Sequence, residues 1–558
     1  MKATKIILMA ALALMTVACS NDDNDIQTPA EQPAKSEGIP FTATISMGES
    51  ASTRALAENG SGGLTATWAT GEKVALIYTV GSTPTKTDAE VTKQADGTAT
   101  ISATLASGAT NGSDVTIIYP ATAADGTTGK VLANLLTAQD GTLATIATNY
   151  DVRKGTGKLS ISGGKATVNN GTAGTTVALT NQFAIWKLTL GNDAKNLCIM
   201  ADNVPIAGAT LASADKEFTV AVPAVSSKKV TITIVANDES NNCYYYSKYG
   251  VTIAAGNYYQ SSPSMKTLGT SDSESVYKIT GDASANIYDG KTVVLSGVNI
   301  SRGSITCIEH GSVTMILLGD NKVTAAASNA AISVGFTGTT LTITGTGTLT
   351  AKGGDKGAGI GTNGADGTTL SGGNIVINGG RVNATGGADA AGIGTGIAIN
   401  NGKNTCGTIT INGGMVYATG GSNAAGIGTS PSQDNATQTC GAITINGGTV
   451  TATGSIGGAG IGTGYVDLGS NTCGAITIGT GVTSVIATKG LDYLNLNSIG
   501  PGYASTLHTQ HCGTITFGTK QVFDGTNWSH YPMAAGTYGG LNLAITNSNK
   551  TWTLTPAP

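Results

Sequence analysis

The sequence predicts an all-β chain: two antiparallel β-sandwiches, then a parallel β-helix with three strands per coil and a repeat of about 34 residues. Apolar and polar residues alternate at period two in FTATISM, VALIYTV, DVTIIYP, FAIWKLTL, EFTVAVP and KVTITIV, between turns of Gly, Asn and Asp. That is the pattern of half-buried antiparallel strands. Past residue 269 three tracks repeat on one beat. Ile360, Ile393, Ile427, Ile461 and Ile499 form one; Ile343, Ile377, Ile411, Ile445, Ile478 and Phe517 another; Ala351, Ala384, Ala418, Ala452 and Ala487 the third. Three tracks of one period mean three short strands per coil, each coil bonded to the next about 4.8 Å away. With 80 glycines and only 11% charged residues, the composition suits tight turns and Thr/Asn-rich surfaces. The net charge of −4 offers no basic field for a phosphate backbone, so nucleic acid is not an expected partner.

Residues 1–19 have the layout of a secretory signal, with Lys2 and Lys5 ahead of an apolar core at 6–17. The core ends in LMTVACS, which resembles a bacterial lipobox with Cys19 as the acylated residue; Thr16 departs from the usual aliphatic residue there, and a plain cleaved signal is the alternative. The following SNDDND resembles the surface-export signal of Bacteroidetes lipoproteins, or else is a solvated linker. Residues 20–38, with Pro29 and Pro33, read as a flexible tether. These features place the mature chain outside the cytoplasm, at the cell outer membrane through a lipid anchor.

The alternating strands between 39 and 266 exceed one small sandwich, and a break near 151–157 divides them into 39–150 and 151–266. In the first half an early strand is followed by Thr53-Arg54, then Trp68 and Gly71-Glu72 before VALIY; NQFAIWKLTL and GVTIAAGNYYQ lie in the second. With these residues the stretch from about 38 to 266 resembles the fimbrillin family of Bacteroidales lipoproteins. The resemblance implies a pair of transthyretin-like sandwiches and a role as pilus subunit, anchor or tip adhesin. In polymerising members, cleavage after an arginine that follows the first strand frees a groove filled by a neighbour's strand; Arg54 matches that arginine, though an exposed loop arginine is the alternative. Other fimbrial subunits, joined by strand addition, are then expected partners.

Residues 267–530 form the β-helix and 531–558 its terminal cap. Parity turns Ile409 and Ile411 inward and Thr408 and Thr410 outward. Asn378, Asn412 and Asn446 recur before Gly-Gly, as a stacked asparagine ladder at one corner would require. The variable part of each coil, such as 429–439, is expected to loop out. The earlier coils, 292–335, keep the strand rhythm without the Asn-Gly-Gly corner, and the stretch 275–480 resembles the β-helical carbohydrate-binding domains of clostridial and Bacteroidetes surface proteins.

Cys406, Cys440, Cys473 and Cys512 occupy one repeat position. A ladder of buried thiols, disulfides between adjacent coils and a metal site are the three readings of that position. Stacking along a line and the lack of any paired CxxC favour the ladder. Cys198 and Cys243 both fall in the second sandwich and are a candidate pair that sequence alone does not place, and Cys307 has no evident partner.

Between 340 and 520 the acids are Asp355, Asp366, Asp389, Asp434, Asp467 and Asp492, none of them a close pair on one strand, as general acid–base chemistry on a polysaccharide would need. His508 and His511 are spaced for a metal but fit a surface loop as well. No catalytic residue, metal or cofactor is therefore expected. Outward residues of the second strand, among them Arg381, Asn383 and Tyr417, together with Tyr465, Tyr493 and Tyr503 in variable segments, form the candidate face for a glycan or a host or bacterial surface protein. The expected function is a lipid-anchored adhesin, a pilus tip or accessory subunit; a polysaccharide-active enzyme and a purely structural pilus component are the alternatives.

Overall fold

The computed structural model describes residues 38–47, 57–58, 64–65, 68–95, 97–131, 136–170, 176–490, 497–505, 509–525 and 534–557. Cys19, Arg54, Tyr493 and His508 lie outside the described residues.

Nine strands between Ile39–Ser46 and Thr180–Asn181 make the first sheet. Ile39–Ser46 runs antiparallel to Thr98–Leu105 and parallel to Thr176–Ala178, while Lys165–Asn169 pairs with both the first strand and Arg153–Ser162. The series thus returns on itself around one core that includes Phe41, Ile45, Leu76, Ile101 and Ile117. This sheet extends to Asn181, so the divide between the two sandwiches falls at Gln182, later than the 150/151 break expected from sequence. DVRKGTG, the site of that expected break, enters a strand of this sheet, Arg153–Ser162. Gly155 and Gly157 sit where a Cβ would collide with Leu179, Val177 and Val168, and Arg153 is fully buried, its Nε 3.1 Å from Asp151 Oδ1 and its guanidinium donating to the Met47 carbonyl at 2.8 Å.

Six strands from Phe183–Ala201 to Lys266–Thr267 form the second sheet, built on two long hairpins, the first of which shifts register between Thr189 and Asn196. One face of it wraps a core of Leu188, Leu197, Ile199, Phe218, Val220 and Ile234. The other face carries Cys198, Met200, Val235 and Cys243 and packs directly on Val294, Ile316 and Leu318 of the following helix.

That helix is the predicted right-through stack of parallel, in-register strands. Its first column runs from Val276–Gly281 through Ile409–Ile411 to Ile515–Phe517, its second from Asp320–Thr324 through Met415–Thr419 to Val482–Thr488, its third from Ala285–Ile287 through Ile427–Gly428 to Ile499–Gly500. Their inward residues make one continuous core along the axis, with Ile409, Ile411, Val416, Ala418 and Ile427 all fully enclosed. The third column explains why AGIG is repeated so literally. Gly394, Gly428 and Gly462 have φ of 139°, 135° and 137°, and a Cβ on any of them would overlap the carbonyl of the glycine in the next coil.

A fourth column corrects the expectation that 429–439 loops out. Thr369–Ser371, Lys403–Cys406, Ala436–Cys440, Gly469–Cys473 and Thr509–Cys512 stack in parallel between the third and first columns. Between third and fourth columns Ser432 bridges Ala398 below and Val466 above, and Thr429, Ser430 and Ser432 are wholly buried. The inner side of this extra layer is polar. Asn404, Gln438, Asn471 and Gln510 stand in register; Asn404 Nδ2 donates to the Asn363 and Gly396 carbonyls (2.8 and 2.9 Å), and Asn471 Nδ2 to those of Ser430 and Gly464 (3.0 and 3.1 Å). Side-chain amides so placed satisfy the turn carbonyls that a loop would have left to water.

The far end is closed by antiparallel pairing. Lys520–Phe523 folds back on Ile515–Phe517, and Thr551–Pro556 runs antiparallel to Val482–Thr488 with Trp552 fully buried. The cap therefore begins at Lys520, ahead of residue 531.

Candidate functional site

The second column presents the richest outer face. Parity buries Val382, Val416 and Val450, and Ala384, Ala418 and Ala452, which hardly vary. On the outside the same strands present Arg381, Asn383 and Thr385, then Met415, Tyr417 and Thr419, then Thr449, Thr451 and Thr453. The Arg381 guanidinium lies over the Tyr417 ring, Cζ 4.5 Å from its centroid, so two adjacent coils fix one another's side chains. Asn383 Nδ2 reaches Thr350 Oγ1 of the coil below at 3.4 Å, and Met415 stands 45% exposed beside the aromatic ring.

Tyr465 and Tyr503 are placed elsewhere. They follow the third column in successive coils, with rings parallel and centroids 5.7 Å apart, in line with Pro431 and Ile397 of the coils below. Arg381, Asn383 and Tyr417 thus form one cluster and the two tyrosines a second, on different columns.

The corner asparagines hydrogen-bond in series. Asn446 Nδ2 donates to Asn412 Oδ1 and Asn412 Nδ2 to Asn378 Oδ1, both at 2.9 Å. Asn378 Nδ2 in turn donates to the Asn203 carbonyl of the second sheet at 3.3 Å, so the ladder is rooted in the neighbouring sandwich. Cys406, Cys440, Cys473 and Cys512 are buried, free and in register on the fourth column. They stack one above another along the axis without bridging, as the ladder reading expects. Hydrogen bonding to Cys440, with burial, pushes the Cys406 thiol well above its ordinary range.

Cys198 and Cys243 do not pair. They lie on strands flanking Val225–Asn237, two strand spacings apart, beyond the ~7 Å limit for a bridge. Burial pushes the thiols of Cys198 and Cys307 up to about 12 and that of Cys243 to about 11. Among the described residues no three of His, Cys, Asp and Glu converge to hold a metal ion, and His511 is exposed at the end of the fourth column. Sequence reasoning missed the fourth column's amides, yet NTC, QTC, NTC and QHC, each followed by Gly, signal them at one repeat position.

Fold and surface define a capped parallel β-helix seated on β-sandwiches, with its varied side chains turned outward. The repeats match a family described as beta helix repeat at residues 341–364, 375–402, 409–430 and 443–465. Three solved structures align with the chain, each of a candidate cell adhesion protein. That from Bacteroides eggerthii DSM 20697 is 12% identical, covers 40% of this chain and 85% of its own, and has a TM-score of 0.23. Those from Bacteroides uniformis ATCC 8492 and Bacteroides fragilis NCTC 9343 are 10% and 13% identical, cover 42% of this chain and 98% and 97% of their own, and have TM-scores of 0.22. No curated protein matches the sequence.

Proposed function

We propose that this chain is a surface-exposed adhesin, lipid-anchored at Cys19, in which fimbrillin-like sandwiches join a β-helix to the cell or to a pilus. The β-helix binds a glycan or a surface protein and performs no bond cleavage. One observation carries the reading: inside the helix the coils are near copies, whereas two of the three outward registers of the second column change from coil to coil, Arg381, Met415 and Thr449 occupying one and Asn383, Tyr417 and Thr451 the other. A repeated interior builds a stiff support, and a varied exterior on it is where recognition resides. The antiparallel cap on the last strands supports a tip or accessory position, since it closes the helix to a further unit along the axis.

The test is an array of host and plant polysaccharides probed with the whole mature chain, followed by depolymerisation assays on the hits. The whole chain is needed because a fragment starting at the helix would bare Val294, Ile316 and Leu318. Binding without cleavage is expected. Cleavage would make the chain an enzyme, and silence on every glycan would leave a protein receptor or a purely structural rod.

A further inference from the structure

Charge is scarce on the helix, and its cations are unevenly spread. Three stand on the outer face of the second column in consecutive coils: Lys322, Lys352 and Arg381, all exposed. None of the three pairs with a carboxylate among the described residues, whereas Lys356 in the adjoining segment is neutralised by Asp366 at 3.3 Å. The single acid on the same face is Asp320, at its lower edge, and no acid appears on its outward positions in the coils above. Immediately above Arg381 come the Tyr417 ring and the exposed Met415, then a field of hydroxyls from Thr449, Thr451 and Thr453. Cations, an apolar shelf and hydroxyls therefore follow one another along the axis on a single flat sheet.

From this order we infer that the second column binds a linear glycan bearing carboxylates, a polyuronate, laid parallel to the helix axis. The inference rests on the adhesin reading and names its ligand class. Lys322 and Arg381 are two coils apart, roughly 10 Å along the axis. The three cations stand on neighbouring tracks of the face, Lys322 in register with Asn383 and Tyr417, Lys352 with Thr385 and Arg381 with Thr348, so a chain laid up the middle track passes over Lys322 and meets Lys352 and Arg381 from either side through their long side chains. Arg381, held against Tyr417, offers its remaining N–H groups in the fork that matches a carboxylate. The apolar face of the next sugar rests on Tyr417 and Met415, and its hydroxyls meet the threonines. A neutral glycan would use only the upper half of this surface and leave three cations facing the one carboxylate of Asp320.

The experiment is affinity electrophoresis of the whole mature chain through gels containing polygalacturonate or the same polymer fully methyl-esterified, which keeps the backbone and removes the charge. Retardation by the free acid, weaker in high salt, and at least tenfold weaker binding by the ester are expected. K322Q/K352Q/R381Q should lose roughly tenfold in affinity for the acid, the sum of three exposed ion pairs. Y417A should weaken binding while leaving its salt dependence unchanged. Equal binding of acid and ester, or an unaffected triple variant, overturns the proposal. If neutral polysaccharides on the array are bound and polygalacturonate is not, the acidic-ligand assignment fails while the adhesin reading stands; if no glycan is bound at all, the glycan-binding form of both fails.

Discussion

The same helix meets two different environments along one column of residues, and the contrast shows what its sequence is selected to do. Outward on the first column, Val294 and Ile316 stand in register with Thr344, Asn378, Asn412 and Asn446 further up the axis. Where the second sheet covers the helix, the position is apolar and joins Leu318, Met200 and Val235 in a shared core. Over Thr344 and Asn378 the cover ends: the Thr344 hydroxyl and Asn378 Nδ2 both donate to the Asn203 carbonyl, at 2.8 and 3.3 Å. Beyond that point the column is solvent-facing amide. A buried polar seam flanks the docked part as well, with Asn237 Nδ2 donating to Ser296 Oγ at 2.8 Å and Ser296 Oγ to Asn241 Oδ1 at 3.0 Å. The docked coils are thus specified by what sits on them, and the free coils by one another.

The sharpest way to break that contrast uses the third column. Ser333 in the docked part is in register with Gly361, and through it with Gly394. Gly394→Ser should cost more than about 4 kcal/mol, because φ of 139° and the neighbouring carbonyl leave a Cβ no room, so soluble protein should be lost or its Tm should fall steeply. Ser333→Gly, the reverse change one environment away, should cost about 1 kcal/mol or less by the same melting measurement.

Next in size is an exchange within the first column. Ile316→Asn buries an amide in the docking core and removes its apolar packing, an expected loss of about 3–4 kcal/mol in denaturant titration. Asn412→Ile breaks two exposed ladder bonds and should cost only about 1 kcal/mol. Equal costs would mean that the sheet does not hold the helix as described.

Alkali should act on the docked region through its thiols. Folded Cys198 and Cys243 keep their protons up to about 12 and about 11, while the unfolded chain releases them near the ordinary value of 9.0. Between those limits the unfolded state binds fewer protons, so stability falls as pH rises, by up to about 1.4 kcal/mol per thiol per pH unit. Unfolding midpoints measured at pH 8, 9 and 10 should drop, and the drop should shrink in Cys198→Ala/Cys243→Ala. The smallest effect belongs to the free outer face: Thr444→Val should shift stability by no more than about 0.5 kcal/mol.

Much of this was legible in the chain itself. Literal repetition of Ile, Ala and AGIG placed three columns correctly because each inner residue meets its own copy, and burial then enforces a shared pattern. The asparagine corner was legible for the same reason. The fourth column was not, since Asn404, Gln438 and Asn471 point polar groups inward, against the rule that alternation otherwise supplies. The docking face was masked differently: in MILL, Met315–Leu318 break alternation because both sides of the strand are buried, a signal of two-sided cover rather than of a helix turning its back to water. The break between sandwiches expected at DVRKGTG falls inside a strand, where the glycines record how closely two strands approach.

The docked coils at one end and the antiparallel cap at the other both lie outside the near-identical repeats. A whole unit could be duplicated or lost between them without disturbing either junction, and each such change would lengthen or shorten the rod by about 4.8 Å. Length is thereby separable from docking: how far the outer face extends beyond the second sheet is set by a count of interchangeable parts, and inheritance can adjust that count one unit at a time.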